Sequence, residues 1–270
     1  MTKAEFLQAG LEICTRVGIS EELRGYFTNG VSRLHATCEH FELFERNLGD
    51  VLEVGPFFGF TPFILRDRAT SYTILEGDDP AVYPLAPHYK EKEISLSYLD
   101  LFEEFGPIKT ASHRLDLPDS SFDTVLCWET MEHFAFNPVK FVRELHRVLK
   151  PGGKAFITVP NKASFQALAA LILGRGEERS IRAYYQFEDY QSNGKTAFYG
   201  FHWREYSTGE LAALFEGAGF KINSCLGVTC FQDNSPPSPG RKIARWLSQF
   251  GSSIAPRFAT NVFLIAQKGG

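Results

Sequence analysis

From Asp50 onward, short apolar runs alternate with stretches patterned for helix, and that alternation leaves few folds open. Runs at 50–54, 71–75, 94–99, 122–127 and 154–159 each read as the strand that opens a βα unit, the signature of a parallel sheet. Two more strands are expected at 220–226 and 261–266. The clearest helix is 138–150: Asn137 caps it, Pro138 suits its first position, Val139, Val142, Leu145 and Leu149 form one stripe, and Lys150-Pro151-Gly152-Gly153 stops it. Ser207-Thr208-Gly209-Glu210 is a capping box opening a helix through Leu211, Leu214 and Phe215. Before the alternation begins, residues 3–46 read as helical, with Leu7, Leu11 and Cys14 on one face and Ser20 capping Glu21-Glu22-Leu23. The expected organisation is an N-terminal helical cap, 1–48, then an α/β domain, 49–270, carrying a lid insertion at about 162–206, a connection too long to be an idle link.

At 270 residues, one domain with elaborations is favoured over two equal ones. Lys plus Arg number 28 against 32 Asp plus Glu, so the net charge of -4 offers no surplus for a polyanion, and nucleic acid is not expected. Five cysteines, at 14, 38, 127, 225 and 230, form no CxxC pair and read as reduced thiols. No secretory leader is visible, and the longest uncharged apolar stretch, 163–174, is short of the roughly 18 residues that a membrane span needs. The expectation is a cytoplasmic protein. A basic amphipathic segment at 241–257 reads either as a solvated face or as weak peripheral contact with an anionic membrane.

The strongest chemical signal is Val51-Leu52-Glu53-Val54-Gly55-Pro56-Phe57-Phe58-Gly59-Phe60-Thr61. A carboxylate at a strand's end, followed by glycines at the strand-to-helix turn, lets a polar ligand approach the backbone while the acid binds an amino group or hydroxyl. The glycine spacing alone also arises in plain turns. Strand two ends in Leu75-Glu76-Gly77-Asp78, where Glu76, with Asp78 in reserve, can take a bidentate hydrogen bond from two ribose hydroxyls. Then Leu115-Asp116-Leu117-Pro118-Asp119 leads into strand four and Cys127-Trp128-Glu129-Thr130-Met131-Glu132-His133.

The run from Leu115 to Asn161 resembles the class I S-adenosylmethionine-dependent methyltransferases of the ubiquinone and menaquinone biosynthesis type, and HWREYSTGELAALFEGAGF, from His202 to Phe220, is similar to that family's late helix. The resemblance implies a doubly wound, Rossmann-like, mostly parallel sheet of order 3-2-1-4-5-7-6 with strand seven antiparallel. It also implies S-adenosyl-L-methionine across the carboxyl ends of strands one, two and four, with S-adenosyl-L-homocysteine as product. Glu53, Gly55 and Gly59 match the first motif, with Phe57 and Thr61 in the same turn. Glu76, followed by Gly77, matches the ribose acid, Leu115 the adenine wall, and Cys127, Trp128 and Glu129 the surroundings of the methionine moiety. Two departures stand out. Phe57 occupies the motif's middle glycine, where it either stacks on ligand or joins the core. Ala111 replaces an acid before Leu115, leaving Asp100 and His113 as acceptors for the adenine amino group.

Methyl transfer needs alignment and exclusion of water, and a hydroxyl nucleophile also needs a base. His133 and His202 are the candidates, each with an ordinary packing alternative. The lid's aromatics, Tyr199 and Trp203 among them, can clasp an acceptor or form a satellite core. No histidine and cysteine spacing suggests a metal. The reading is methyl transfer to a small-molecule or glycan-like acceptor, most simply at oxygen. An NAD-dependent oxidoreductase, and a non-catalytic module retaining the fold, remain as alternatives. Oligomeric state is not legible.

Overall fold

The computed structural model describes residues 1–100, 104–105, 114–174, 201–230, 245 and 249–270. His113, Tyr199 and much of the expected lid and basic segment therefore lie outside the described residues. Two helices open the chain, α1 (Lys3–Val17) and α2 (Glu21–His40). They are separate because Gly18 takes a left-handed φ of 72° that ends α1, and the Ser20 side chain then accepts from the backbone N–H of Leu23 to start α2.

The strands are β1 (Gly49–Val54), β2 (Ala69–Glu76), β3 (Ile94–Tyr98), β4 (Phe122–Trp128), β5 (Leu149–Pro160), β6 (Phe220–Val228) and β7 (Asn261–Lys268). They form one sheet of order β3-β2-β1-β4-β5-β7-β6, parallel except that β7 runs antiparallel to β5 and β6. Between them come α3 (Thr61–Leu65), α4 (Ala86–Glu91), α5 (Val139–Val148), α6 (Phe165–Ile172) and α7 (Thr208–Gly217). Helix α5 ends two residues before the expected stop. Lys150-Pro151-Gly152-Gly153 instead lies within β5, where the Lys150 ammonium donates to Asp50 and Asp123 at 2.7 Å each and ties three strand ends together.

Alternation along the central strands divides the core into two layers. Leu52, Val54, Val125, Cys127, Ala155, Ile157, Val262 and Leu264 pack with α5 and α7 on one face. Val51, Leu126, Trp128, Phe156 and Phe263 face the other way, against Phe6, Phe27, Val31 and Cys38 of α1 and α2. The N-terminal helices thus share the sheet's core, and α2 is carried across the carboxyl edge of β1 and β4. That edge is the topological switch point, where connections leave the sheet in opposite directions and open a crevice.

Candidate active site

The turn after β1 is built for close approach. Gly55 has φ 65°, and a Cβ there would stand 2.8 Å from the Thr130 Cγ2 that follows β4. Only glycine joins β1 to the crevice without collision. Two residues on, Phe57 holds a left-handed φ of 45°, the conformation that the family's middle glycine would supply freely. Its N–H donates to Glu76 Oε2 at 2.7 Å, and the Gly77 N–H donates to Oε1 at 3.0 Å. Strand-end acid and glycine turn thereby fix each other. The Phe57 ring packs edge-on against Tyr26 of α2, with centroids 5.0 Å apart, so it joins α2 to the turn.

Glu53 has a different part from the one its motif suggests. Its two oxygens accept from the Thr61 and Tyr72 hydroxyls, and it is buried. Glu53 and Thr61 therefore brace the turn from below. Gly59 faces Leu34 of α2, with room for a Cβ at ordinary contact distance. Cys127 and Trp128 are core residues, the indole N–H donating to the Phe156 carbonyl. Leu115 is also buried, its N–H held by Glu144, and the Asp100 carbonyl accepts from the Glu104 N–H.

At the end of β4, Glu129 has a left-handed φ of 50°, an uncommon conformation for a non-glycine residue that places its carboxylate at the crevice rim. There Arg33 of α2 pairs with it at 3.0 Å and the Asn261 amide donates to both its oxygens. The Arg33 Nε is buried with no hydrogen-bond partner among the described residues. A guanidinium with a donor to spare, a carboxylate beside it, and a second acid on β2 suit the carboxylate, ammonium and ribose of an amino-acid-bearing nucleoside. Sequence reasoning missed Arg33, Tyr26 and Asn261, because a charge inside a helix looks like any solvated charge until the helix is docked.

Next along the chain, Met131–His133 form a short 3-10 turn. Glu132 is buried, its Oε2 without a partner among the described residues, while its backbone carbonyl accepts from Trp203 and Arg204 N–H. His133 Nδ1 lies 3.1 Å from the Phe201 carbonyl, and the rings of His133 and His202 meet edge to face at 4.9 Å. His202 Nδ1 contacts Glu205 at 3.1 Å. Chain folding thus unites the two expected histidines and Trp203, whose ring packs on Phe201. Donor atoms of Glu132, His133 and His202 all lie within 4.8 Å of one another, a set able to hold a divalent cation that linear spacing does not display.

Burial sets the charge states. It pushes the carboxyls of Glu53 and Glu76 up to about 7 and that of Glu132 to about 8. Burial, with the nearby His202 charge, drops His133 to about 4, so it is neutral at physiological pH. A carboxyl whose folded pKa is raised contributes stability that is present below about 4.5 and lost as pH rises through the folded value. Glu132→Gln, which has no charge to bury, is therefore expected to stabilise the protein by on the order of 2 kcal/mol at pH 8 and by little at pH 4. Urea unfolding at both pH values measures this; an equal effect at both would show that Glu132 does not titrate in that range.

A model of the methyltransferase domain matches residues 19–224. The chain belongs to the methyltransferase-domain family. Relatives of this methyltransferase domain include a protein of Mycolicibacterium smegmatis named as an S-adenosylmethionine-dependent methyltransferase, 29% identical over 66% of this chain and 54% of that one. Another is a ubiquinone biosynthesis O-methyltransferase of Pseudomonas paraeruginosa, 30% identical over 66% of this chain and 67% of that protein. The chain spans about half the length of the first of these relatives. Among solved structures, a chain from the complex between the Haloferax volcanii Trm112 methyltransferase activator and a methyltransferase superposes with a TM-score of 0.56 at 17% identity, covering 89% of this chain and 93% of that one. That likeness shows the fold. The expected sheet order and the family resemblance are both borne out, and S-adenosylmethionine is the family's cofactor.

Proposed function

We propose that this methyltransferase domain transfers a methyl group from S-adenosylmethionine to a hydroxyl oxygen of a small-molecule or glycan-like acceptor. The observation that carries the oxygen assignment is the pair of imidazoles beside the β4 rim. Each has its Nδ1 next to an oxygen, a carbonyl for His133 and a carboxylate for His202, leaving Nε2 to accept a proton.

When bound, the cofactor supplies an electrophilic methyl on a sulfonium. Glu76, already oriented by two backbone N–H groups, has lone pairs left for the ribose hydroxyls. Arg33 would hold the carboxylate of the methionine moiety and Glu129, paired with it, would receive the ammonium. His202 takes the acceptor's proton on Nε2, Glu205 stabilises the resulting imidazolium, and neutral His133 packs the ring in place. The ubiquinone biosynthesis O-methyltransferase relative supports oxygen as the target atom.

Calorimetric titration with S-adenosylhomocysteine and NAD tests the cofactor, with binding of the first and none of the second expected; NAD binding alone would favour the oxidoreductase. His202→Ala is then expected to lower turnover roughly a hundredfold while leaving cofactor affinity nearly unchanged. Release of S-adenosylhomocysteine across a panel of phenolic and sugar hydroxyls reads it out, and full turnover in the variant would place the base elsewhere.

The unpartnered Glu132 oxygen favours a second reading, in which Glu132, His133 and His202 hold a divalent cation that acidifies the acceptor hydroxyl. The two differ cleanly: a chelator abolishes turnover under the metal reading and leaves it intact under the proton-transfer reading.

A further inference from the structure

Strand β7 runs against β5 and β6, so it begins where they end. Its first residue, Asn261, therefore stands at the carboxyl edge of the sheet, opposite Pro160 of β5 and Val228 of β6. It is 6% exposed. An amide buried to that degree needs partners for both its donor and its acceptor. Asn261 Oδ1 lies 2.8 Å from the Thr260 hydroxyl, which also reaches the Cys230 carbonyl at 2.9 Å and accepts from the Cys230 N–H at 2.8 Å. With its oxygen turned to Thr260, the amide presents its NH2 group to Glu129, 3.2 and 3.3 Å from the two carboxylate oxygens. Closing the strand does not require this contact. The Asn161 N–H already donates to the Thr260 carbonyl at 2.9 Å, and the Asn261 NH2 group reaches instead to a carboxylate 132 positions earlier in the chain.

Glu129 is a residue that needs holding. Its N–H donates to the Thr158 carbonyl at 2.8 Å, which anchors the left-handed backbone but leaves the side chain its rotamers. Two elements then fix the carboxylate, Arg33 from α2 at 3.0 Å and Asn261 from β7. They do so in different ways. Arg33 offsets the negative charge, and a second cation at 261 would finish that and repel an ammonium ligand. A neutral amide orients the carboxylate and leaves its charge in place. A carboxylate has about four lone-pair sites, and the contacts from Arg33 and Asn261 take no more than three, so one donor more can be received.

We propose that Asn261 is a positioning residue for the cofactor, setting the Glu129 carboxylate to receive the ammonium of the methionine moiety. This role rests on the reading in which Glu129 takes that group. The amide acts through Glu129, and its effect is selective: it favours a ligand with an amine beside its carboxylate over one with the carboxylate alone. Without the amide, Glu129 keeps Arg33 as its partner and is free to turn away from the ammonium.

Calorimetric titration of the full chain with three ligands tests this: S-adenosylhomocysteine, its desamino analogue, which keeps the carboxylate, and methylthioadenosine, which lacks the whole amino-acid portion. Wild type is expected to prefer S-adenosylhomocysteine to the desamino analogue by at least about tenfold. Asn261→Ala is expected to cut that preference to below about threefold, while affinity for methylthioadenosine stays within about twofold of wild type and so reports an intact fold. Asn261→Asp, nearly the same in shape but with no donor to offer Glu129, is expected to lose the preference in the same way. The proposal is overturned if either variant keeps the full preference, or if affinity for all three ligands falls in one proportion, as a purely structural role would produce. A wild-type chain that binds S-adenosylhomocysteine and the desamino analogue equally well would remove Glu129 from the ammonium site, overturning the underlying reading and the role of Asn261 with it.

Discussion

Glu76→Ala is expected to weaken S-adenosylhomocysteine binding by about 2 kcal/mol, roughly thirtyfold in Kd. Two losses add. The variant removes the charged acceptor proposed for the ribose hydroxyls, and it strands the Phe57 and Gly77 N–H groups that Glu76 receives. Without that acceptor, nothing compensates Phe57 for its left-handed backbone, and the turn after β1 relaxes. The pH dependence is the sharper test. Burial has pushed the Glu76 carboxyl up to about 7, and ribose hydroxyls donate best to the ionised form. Affinity in the wild-type domain should therefore rise between pH 6 and pH 8, and the dependence should flatten in the alanine variant. Calorimetric titration across that range measures both; unchanged affinity in a folded variant would remove Glu76 from the site.

Gly55→Val should be the most damaging substitution in the crevice, destabilising the fold by roughly 3 kcal/mol. A β-branched residue would have to hold φ near 65°, and its Cβ would press on Thr130, whose hydroxyl is bonded to the Val54 and Trp128 carbonyls and cannot swing away freely. β1 and β4 would have to separate at the very point where the crevice opens. Urea denaturation gives the number. A loss below about 1 kcal/mol would mean that the turn can adopt another path.

Much of the site was legible because it is local. A turn such as Gly55–Thr61, or an acid at the last position of a strand such as Glu76, is written in consecutive residues, since the strand's end and the geometry after it are set within a few bonds. The seven strands were legible for the same reason: apolar runs of that length, bounded by turn residues, have little else to become. Helix α5 was placed from its Asn137 cap, though its end shifted because Leu149 pairs with Phe122 of β4 and Lys150 is drawn to Asp50 and Asp123.

Other features depend on which distant groups meet. Glu53 carries the motif's acid, yet its oxygens are claimed by Thr61 and by Tyr72 on the neighbouring strand, so it braces the turn. Phe57 breaks the glycine pattern, and only the packing of Tyr26 and the acceptor on Glu76 account for its tolerance.

The sequence by itself determined the α/β class, the glycine turn after β1 and the acid on β2, because each arises from interactions between residues close along the chain. Tertiary structure alone decided that Arg33 rides α2 onto Glu129, that Asn261 reaches the same carboxylate from 132 positions away, and that His133 and His202 share one corner. Those meetings are fixed by how the apolar faces of α1 and α2 seat on the sheet and how the chain returns from 201–206 to the β4 rim. That is a packing register between remote surfaces, and no short stretch of residues encodes it.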